Sequence, residues 1–106
     1  MATEHKIAVT RTARYLISGD PRKARETWLL LHGYGQLADD FLKACRVLES
    51  PDRLLVVPEG LSRFYGKGFS ERPGASWMTR EAREDEIRDY VGYMDALMAH
   101  LSPPGP

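Results

Sequence analysis

The feature that most constrains this chain is the stretch 27–40, where an apolar run is followed by two closely spaced glycines and then by a helical pattern. Residues 28–31 form a short apolar run, as in a buried strand, and the run ends at His32-Gly33-Tyr34-Gly35. Because glycine lacks a Cβ, Gly33 and Gly35 let the backbone turn sharply and approach a ligand closely. The stretch predicts a strand-loop-helix unit, with a loop at the carboxyl end of a strand, where ligands bind in open α/β sheets.

Composition limits the partners and the chemistry. The chain has 106 residues, which suits one small domain, and its 15 Lys and Arg residues balance 15 Asp and Glu residues. A balanced charge gives no overall field to attract nucleic acid, so we expect no nucleic-acid partner. The single cysteine and the 3 histidines, which are far apart in sequence, offer no set of ligands, so we expect no metal and no cofactor.

The sequence also lacks membrane signals. Residues 1–6 are polar, without the apolar core of a signal peptide. No run approaches the ~18 apolar residues of a membrane-spanning helix. We therefore expect no integral membrane segment and a cytoplasmic location.

Two patterns predict the amino-terminal elements. Residues 6–18 alternate apolar and polar positions on either side of a polar bend, which predicts a leading β-hairpin. Residues 27–60 predict a β-α-β unit, because the glycine loop is followed by an amphipathic helix and then by a continuous apolar run at 54–57. Two strands joined by a helix in this way are expected to be parallel.

The second half of the chain is simpler. We predict a long loop at 61–78, an amphipathic helix at 80–101 and a Pro/Gly tail at 102–106. In an alternating sheet such a helix leads to a further parallel strand, which these residues do not include. We therefore expect one α/β domain with an incomplete sheet, whose open edge permits self-association.

Short motifs occur in a recognisable order: L-L-L-H-G-Y-G at 29–35, D-F at 40–41, V-V-P-E-G at 56–60, A-S-W at 75–77 and D-E-I-R-D-Y-V-G-Y-M-D-A-L at 85–97. Together they resemble the amino-terminal portion of an α/β-hydrolase, and the closest group is the phospholipase/carboxylesterase family, which includes the acyl-protein thioesterases. The resemblance implies the first part of that fold. It also implies hydrolysis of a carboxylic ester or thioester bond in a small-molecule ester or acyl substrate.

The resemblance also implies roles for single residues. In that family the loop after the first central strand supplies a backbone N–H to the oxyanion hole, and this N–H maps to Tyr34. Gly33 and Gly35 would shape the loop against the substrate, and Trp77 would line the cleft. His32 would support the loop rather than act as a base.

The nucleophile of the family is missing. It is a serine in a G-x-S-x-G elbow, and no such motif occurs in the 106 residues. The nearest imitation, Gly68-Phe69-Ser70-Glu71-Arg72, lacks the second glycine, so we do not expect Ser70 to be a nucleophile. The chain therefore resembles a hydrolase cut off before its nucleophile, and we expect it to be inactive alone unless another polypeptide supplies the rest.

Two alternatives remain open. Gly33-Tyr34-Gly35-Gln36-Leu37-Ala38 fits G-x-G-x-x-A, and Glu59 follows about twenty residues on, where the ribose-binding acid of a dinucleotide-binding fold stands. Against this Rossmann-like interpretation, Asp39 and Asp40 place negative charge where a pyrophosphate would dock. The other alternative is a non-catalytic fragment or interaction module that pairs through the open sheet edge.

Overall fold

The structure is a computed structural model that describes residues 1–65, 72–78 and 81–101. The elements in these residues are β1, Tyr15–Ser18; β2, Glu26–Leu29; α1, Ala38–Ala44; a 3-10 helix, Arg46–Leu48; β3, Arg53–Pro58; β4, Ser62–Phe64; β5, Gly74–Ser76; and α2, Arg83–Leu101. This mixture of strands and helices confirms the predicted α/β content. The predicted tail at 102–106 lies outside the described residues.

The central strand of the main sheet is β3, in the order β1-β3-β2. Strand β2 runs parallel to β3, with Trp28 opposite Leu55, so β2, α1 and β3 form the parallel crossover expected from the sequence. Strand β1 runs antiparallel to β3 on its other side, with Ile17 opposite Val56. The apolar run suits a central strand, because both faces of such a strand are covered. Leu55, Val56 and Val57 of β3 are completely buried.

Both α-helices contact this sheet. Leu97 of α2 packs with Leu54 and Val56 in the core. Because side chains alternate along a strand, Leu55 and Val57 face the side opposite to Leu54 and Val56. Helix α1 packs against β1 and β3. No helix in the described part of the chain has both the length and the apolar character that a bilayer span requires.

The predicted leading hairpin at 6–18 is wrong. Residues 1–14, which are all described, contain no strand, and β1 pairs with β3 instead of with a neighbouring segment. Ile7 and Val9 are 87% and 79% exposed, so their alternation buries nothing against a sheet. The segment is attached to α2 by a salt bridge of 2.6 Å between Lys6 Nζ and Asp85 Oδ2.

The predicted loop at 61–78 contains a second, smaller sheet. Strands β4 and β5 pair antiparallel, with Arg63 opposite Ala75. Ala75 also forms an isolated bridge with Gln36, so the small sheet lies against the glycine loop. Helix α2 spans most of the predicted range 80–101, but Leu97 is its one fully buried residue among those described.

Candidate functional site

The glycine loop, residues 32–36, follows β2 and is fastened to β5. The Gly35 N–H donates to the Ala75 carbonyl at 2.9 Å, and the Ala75 N–H donates to the Gln36 carbonyl at 3.2 Å. Gly35 has φ of +81°, which residues with a Cβ rarely adopt. A Cβ on Gly74 would lie 2.5 Å from the Gly35 carbonyl oxygen, so glycine at position 74 permits the close approach.

Gln36 closes the loop into a tight turn. Its side-chain Oε1 accepts the Gly33 N–H at 2.7 Å, and its own N–H donates to the Gly33 carbonyl at 3.2 Å. Sequence reasoning did not assign Gln36 this part, and a glutamine in G-x-G-x-x-A carries no signal for it. The two bonds fix the backbone on both sides of Tyr34.

Tyr34 lies at the tip of the loop with its backbone N–H available. The N–H groups of Gly33, Gly35 and Gln36 all donate within the protein, whereas the Tyr34 N–H has no acceptor among the described residues. Tyr34 is 74% exposed, and its ring stacks on Phe64 with ring centroids 5.1 Å apart. An N–H that is fixed by its neighbours but not used by them can bind a negatively charged oxygen.

His32 lies beneath the loop and is only 3% exposed. The Gly60 N–H donates to His32 Nε2 at 2.9 Å, so this nitrogen carries no proton. Nδ1 then carries the proton and donates it to the Gly33 carbonyl at 2.8 Å. Because both ring nitrogens are occupied, His32 has none free to act as a general base.

Trp77 packs against His32. Its indole N–H donates to the His32 carbonyl at 3.1 Å, and the two rings lie 5.2 Å apart. Trp77 also borders a cavity of about 710 Å³ against α2, whose lining does not include Tyr34. Trp77 therefore lies next to His32 but borders a cavity that Tyr34 does not line.

Glu59, which the sequence placed only in the alternative site, is the centre of a buried charged cluster. It is 2% exposed, and its Oε2 accepts from Arg14 Nε at 2.6 Å and from Arg63 Nη2 at 2.8 Å. Its Oε1 accepts the Ala38 N–H at 3.0 Å and so caps α1, whose own N-cap residue Leu37 makes no side-chain cap.

Opposing effects act on the ionisation of Glu59. Burial raises the pKa of Glu59, but hydrogen bonds from Arg14, the Ala38 N–H and Arg63 lower it by more, so the pKa lies below its ordinary value. The carboxylate is therefore ionised at neutral pH. Through the Ala38 N–H, Glu59 connects the first turn of α1 to the end of β3. The next residue, Gly60, donates its N–H to His32.

A second ion pair joins α1 to the segment before β5. Arg72 Nη2 lies 2.9 Å from Asp39 Oδ2, and Arg72 Nη1 lies 3.2 Å from Asp40 Oδ1. The hydrogen bond from Arg72 holds the pKa of Asp39 below its ordinary value. The carboxylates at the start of α1 therefore have a cationic partner.

The remaining chemistry suggested by the sequence is limited. Ser70 lies outside the described residues. In the three described ranges, no group of three or more His, Cys, Asp and Glu side chains is arranged to hold a metal ion. A scan against known protein families finds no match, and no curated protein matches the chain.

Proposed function

We propose that this chain supplies the oxyanion-hole loop of a serine hydrolase that cleaves carboxylic esters or thioesters. The observation that carries the proposal is the Tyr34 N–H, which belongs to a hydrogen-bonded glycine loop and has no acceptor among the described residues. The order of motifs from L-L-L-H-G-Y-G to A-S-W supports the same assignment, because it resembles the phospholipase/carboxylesterase family.

The chemistry needs such a donor. When a nucleophile attacks an ester, the carbonyl oxygen gains negative charge, and an N–H already in place stabilises that charge without reorganising. Losing one donor of this kind costs about 2.7–4 kcal/mol of transition-state stabilisation in hydrolases. Gly33 and Gly35 flank the N–H and are exposed, so no side chain of theirs keeps a substrate carbonyl away.

Residues 1–106 are not sufficient for turnover under this proposal. Acyl transfer requires a nucleophile and a base that activates it. The sequence contains no G-x-S-x-G, and both nitrogens of His32 are occupied by backbone partners. We infer that the chain alone binds or orients a small-molecule ester or acyl substrate without hydrolysing it.

The test joins the chain to a nucleophile. The carboxyl-terminal half of a carboxylesterase of this family, starting at its elbow strand, is co-expressed with the 106-residue chain, and hydrolysis of p-nitrophenyl butyrate is followed. Turnover is expected with both chains and not with either alone. The amino-terminal half of the same carboxylesterase is the positive control, and turnover with that half but not with this chain would contradict the proposal.

A second outcome would also contradict it. Hydrolysis by the 106-residue chain alone that disappears in Ser70→Ala would place the nucleophile within these residues. Ser62→Ala is the matched control, because Ser62 is an exposed serine in β4 and its loss should not change the rate of hydrolysis.

The dinucleotide-binding alternative has less support. Both oxygens of Glu59 already accept hydrogen bonds from Arg14, Arg63 and Ala38, so a ribose hydroxyl would have to displace a buried partner. The start of α1 also holds the Glu59 carboxylate, which repels a pyrophosphate. We expect titration with NAD to leave the fluorescence of Trp28 and Trp77 unchanged, and a saturable change at micromolar NAD would favour the alternative.

The interaction-module alternative rests on the free edge of β2. The N–H groups of Glu26 and Leu30 donate toward β3, so those of the intervening Thr27 and Leu29 point the other way. No strand of the described ranges pairs with that edge. A row of unpaired backbone groups is a template for another strand. We propose that the isolated chain self-associates through this edge of β2.

A further inference from the structure

The cavity beside Trp77 is separate from the oxyanion loop. Its lining comes mostly from α2 and from residues 7–13 of the amino-terminal segment. Its volume of about 710 Å³ falls within the range of pockets that bind small molecules. Tyr34, whose N–H carries the proposed function, does not line it, so the cavity is a second candidate site with its own chemistry.

Aromatic residues are concentrated around this cavity. Among the described residues, its lining contains 3 of the 5 tyrosines, Tyr15, Tyr90 and Tyr93, and one of the 2 tryptophans, Trp77. The centroid of the Trp77 ring lies 6.0 Å from that of Tyr90 and 6.0 Å from that of Tyr93. Rings at this spacing interact with one another, and a further ring can join such a cluster edge to face or in an offset stack.

Hydrogen bonds hold two of these rings in place. The Trp77 indole N–H donates to the His32 carbonyl at 3.1 Å, and the Tyr93 hydroxyl donates to the Arg14 carbonyl at 3.1 Å. Both donors are used within the protein, so Trp77 and Tyr93 offer a ligand mainly the apolar atoms of their rings. Side chains fixed in this way lose little conformational freedom on binding.

The amino-terminal segment adds exposed apolar side chains to the lining. Ile7 and Val9 line the cavity although they are 87% and 79% exposed. A salt bridge between Lys6 Nζ and Asp85 Oδ2 connects the same segment to α2. A ligand in the cavity would cover apolar surface that otherwise faces water, which favours binding of an apolar molecule.

The charges in the described part of the lining balance. Asp89 contributes an exposed carboxylate and Arg11 an exposed guanidinium. The other acid in the lining, Glu86, already has an interaction partner, so it adds no free charge. A charged group on a ligand would lose part of its hydration in the cavity and gain no net opposite charge in return.

We propose that this cavity binds a neutral, planar aromatic molecule. The cluster of rings favours an aromatic ligand over a saturated one of the same size, because ring pairs contribute more than the area they bury. The balance between Asp89 and Arg11 favours a neutral ligand over a cation or an anion. The volume is sufficient for two fused rings.

The experiment compares four probes by isothermal titration calorimetry on the 106-residue chain. They are 2-naphthalenemethanol, the cation 2-naphthylmethylammonium, the anion 2-naphthoate and the saturated alcohol decahydro-2-naphthalenemethanol. We expect the neutral aromatic probe to bind about tenfold more tightly than either charged probe and about threefold more tightly than the saturated alcohol. No binding of 2-naphthalenemethanol, or binding of any other probe as tight as its own, would overturn the proposal.

The location is tested by the two indole N–H signals in ¹H–¹⁵N spectra. Trp77 lines the cavity, whereas the ring of Trp28 lies against Arg53, 3.9 Å from ring centre to guanidinium carbon. 2-Naphthalenemethanol is expected to shift the Trp77 signal and to leave the Trp28 signal in place. A shift confined to Trp28 would overturn the proposed site.

Two valine variants test the apolar lining. Val9→Ser removes apolar surface from the cavity and should weaken binding of 2-naphthalenemethanol by about threefold. Val47→Ser is the matched control, because Val47 is 89% exposed and does not line the cavity, so the affinity should stay unchanged. Equal affinities of the two variants would show that the amino-terminal segment does not line the binding site, contrary to the proposal.

Charge variants test the balance between Asp89 and Arg11. Asp89→Asn leaves a net positive lining and should strengthen binding of 2-naphthoate by about threefold at low salt. Arg11→Gln leaves a net negative lining and should strengthen binding of the ammonium probe to a similar extent. Asp95→Asn, on α2 but outside the lining, should change neither affinity. Affinities for both charged probes that stay the same in Asp89→Asn and Arg11→Gln would contradict the role of balanced charges.

Discussion

The carboxylate of Glu59 is buried, and Arg14, Arg63 and the Ala38 N–H all donate to it. Glu59→Gln keeps the size of the side chain but removes the negative charge to which these groups donate. We expect the free energy of unfolding in urea to fall by about 2 kcal/mol, since hydrogen bonds to buried charged groups are among the stronger ones. The control Glu84→Gln, on the exposed start of α2, should leave the unfolding midpoint unchanged.

The same residue should make stability depend on pH. Because the pKa of Glu59 in the folded chain lies below its ordinary 4.5, the unfolded chain binds the proton more readily than the folded chain does. The stabilisation is therefore complete above pH 4.5 and is lost as the pH falls through the folded pKa. The difference in unfolding free energy between wild type and Glu59→Gln should shrink in acid. A difference that stays constant on acidification would contradict this role.

His32 is tested by a pair of substitutions. His32→Leu leaves the buried Gly60 N–H without an acceptor, and an unsatisfied donor of that kind costs about 1–3 kcal/mol. His32→Gln can place a carbonyl oxygen near the position of Nε2, so it should be the less destabilising variant. Urea denaturation ranks the two, and equal losses would show that the ring contributes by packing alone.

Close packing of β5 on the glycine loop is tested by two glycine substitutions. Gly74→Ala would bring a Cβ to 2.5 Å from the Gly35 carbonyl oxygen, so we expect a loss of about 2 kcal/mol and a shift of the Tyr34 amide signal. Gly92→Ala is the matched control, because a Cβ there meets nothing within 4 Å. It should stabilise α2 by about 0.5–1 kcal/mol. Equal effects at both positions would contradict the packing.

The elements show which local patterns determine structure. The continuous apolar run predicts β3 because a strand covered on both faces has no polar side, and the helical stripe predicts α2. The alternation of Ile7 and Val9 suits a strand but does not specify a partner. The free antiparallel edge of β3 takes β1 instead, which is a long-range choice that no local pattern contains.

The candidate site, like the fold, was predicted only in part from the sequence. Gly33 and Gly35 indicate a working loop because their spacing permits positive φ and close approach, and Gly35 does have positive φ. Strands β4 and β5 were missed because each has only 3 residues. Arg14 and Arg63 were missed because a buried acid requires a cation but does not identify it, and Arg14 is 45 residues from Glu59 in sequence.

At the scale of the whole molecule, the open edge of β2 predicts association. Thr27→Pro removes an N–H that points away from β3, so it should block edge pairing and leave the contacts with β3 intact. Sedimentation velocity should show concentration-dependent association of the wild type that is reduced in Thr27→Pro and retained in Thr27→Ser. A wild-type chain that stays monomeric at all concentrations would contradict the proposal.

The central claim is that the Tyr34 backbone N–H stabilises the oxyanion of an ester-hydrolysing site. The most direct measurement is kcat for p-nitrophenyl butyrate in the co-expressed assembly, with Tyr34→Pro and Tyr34→Phe compared after both are shown to unfold at the same urea concentration. Tyr34→Pro lacks the N–H and should lower kcat by about 10²–10³-fold, whereas Tyr34→Phe keeps it and should match the wild type. Equal kcat values for the two variants would contradict the assignment.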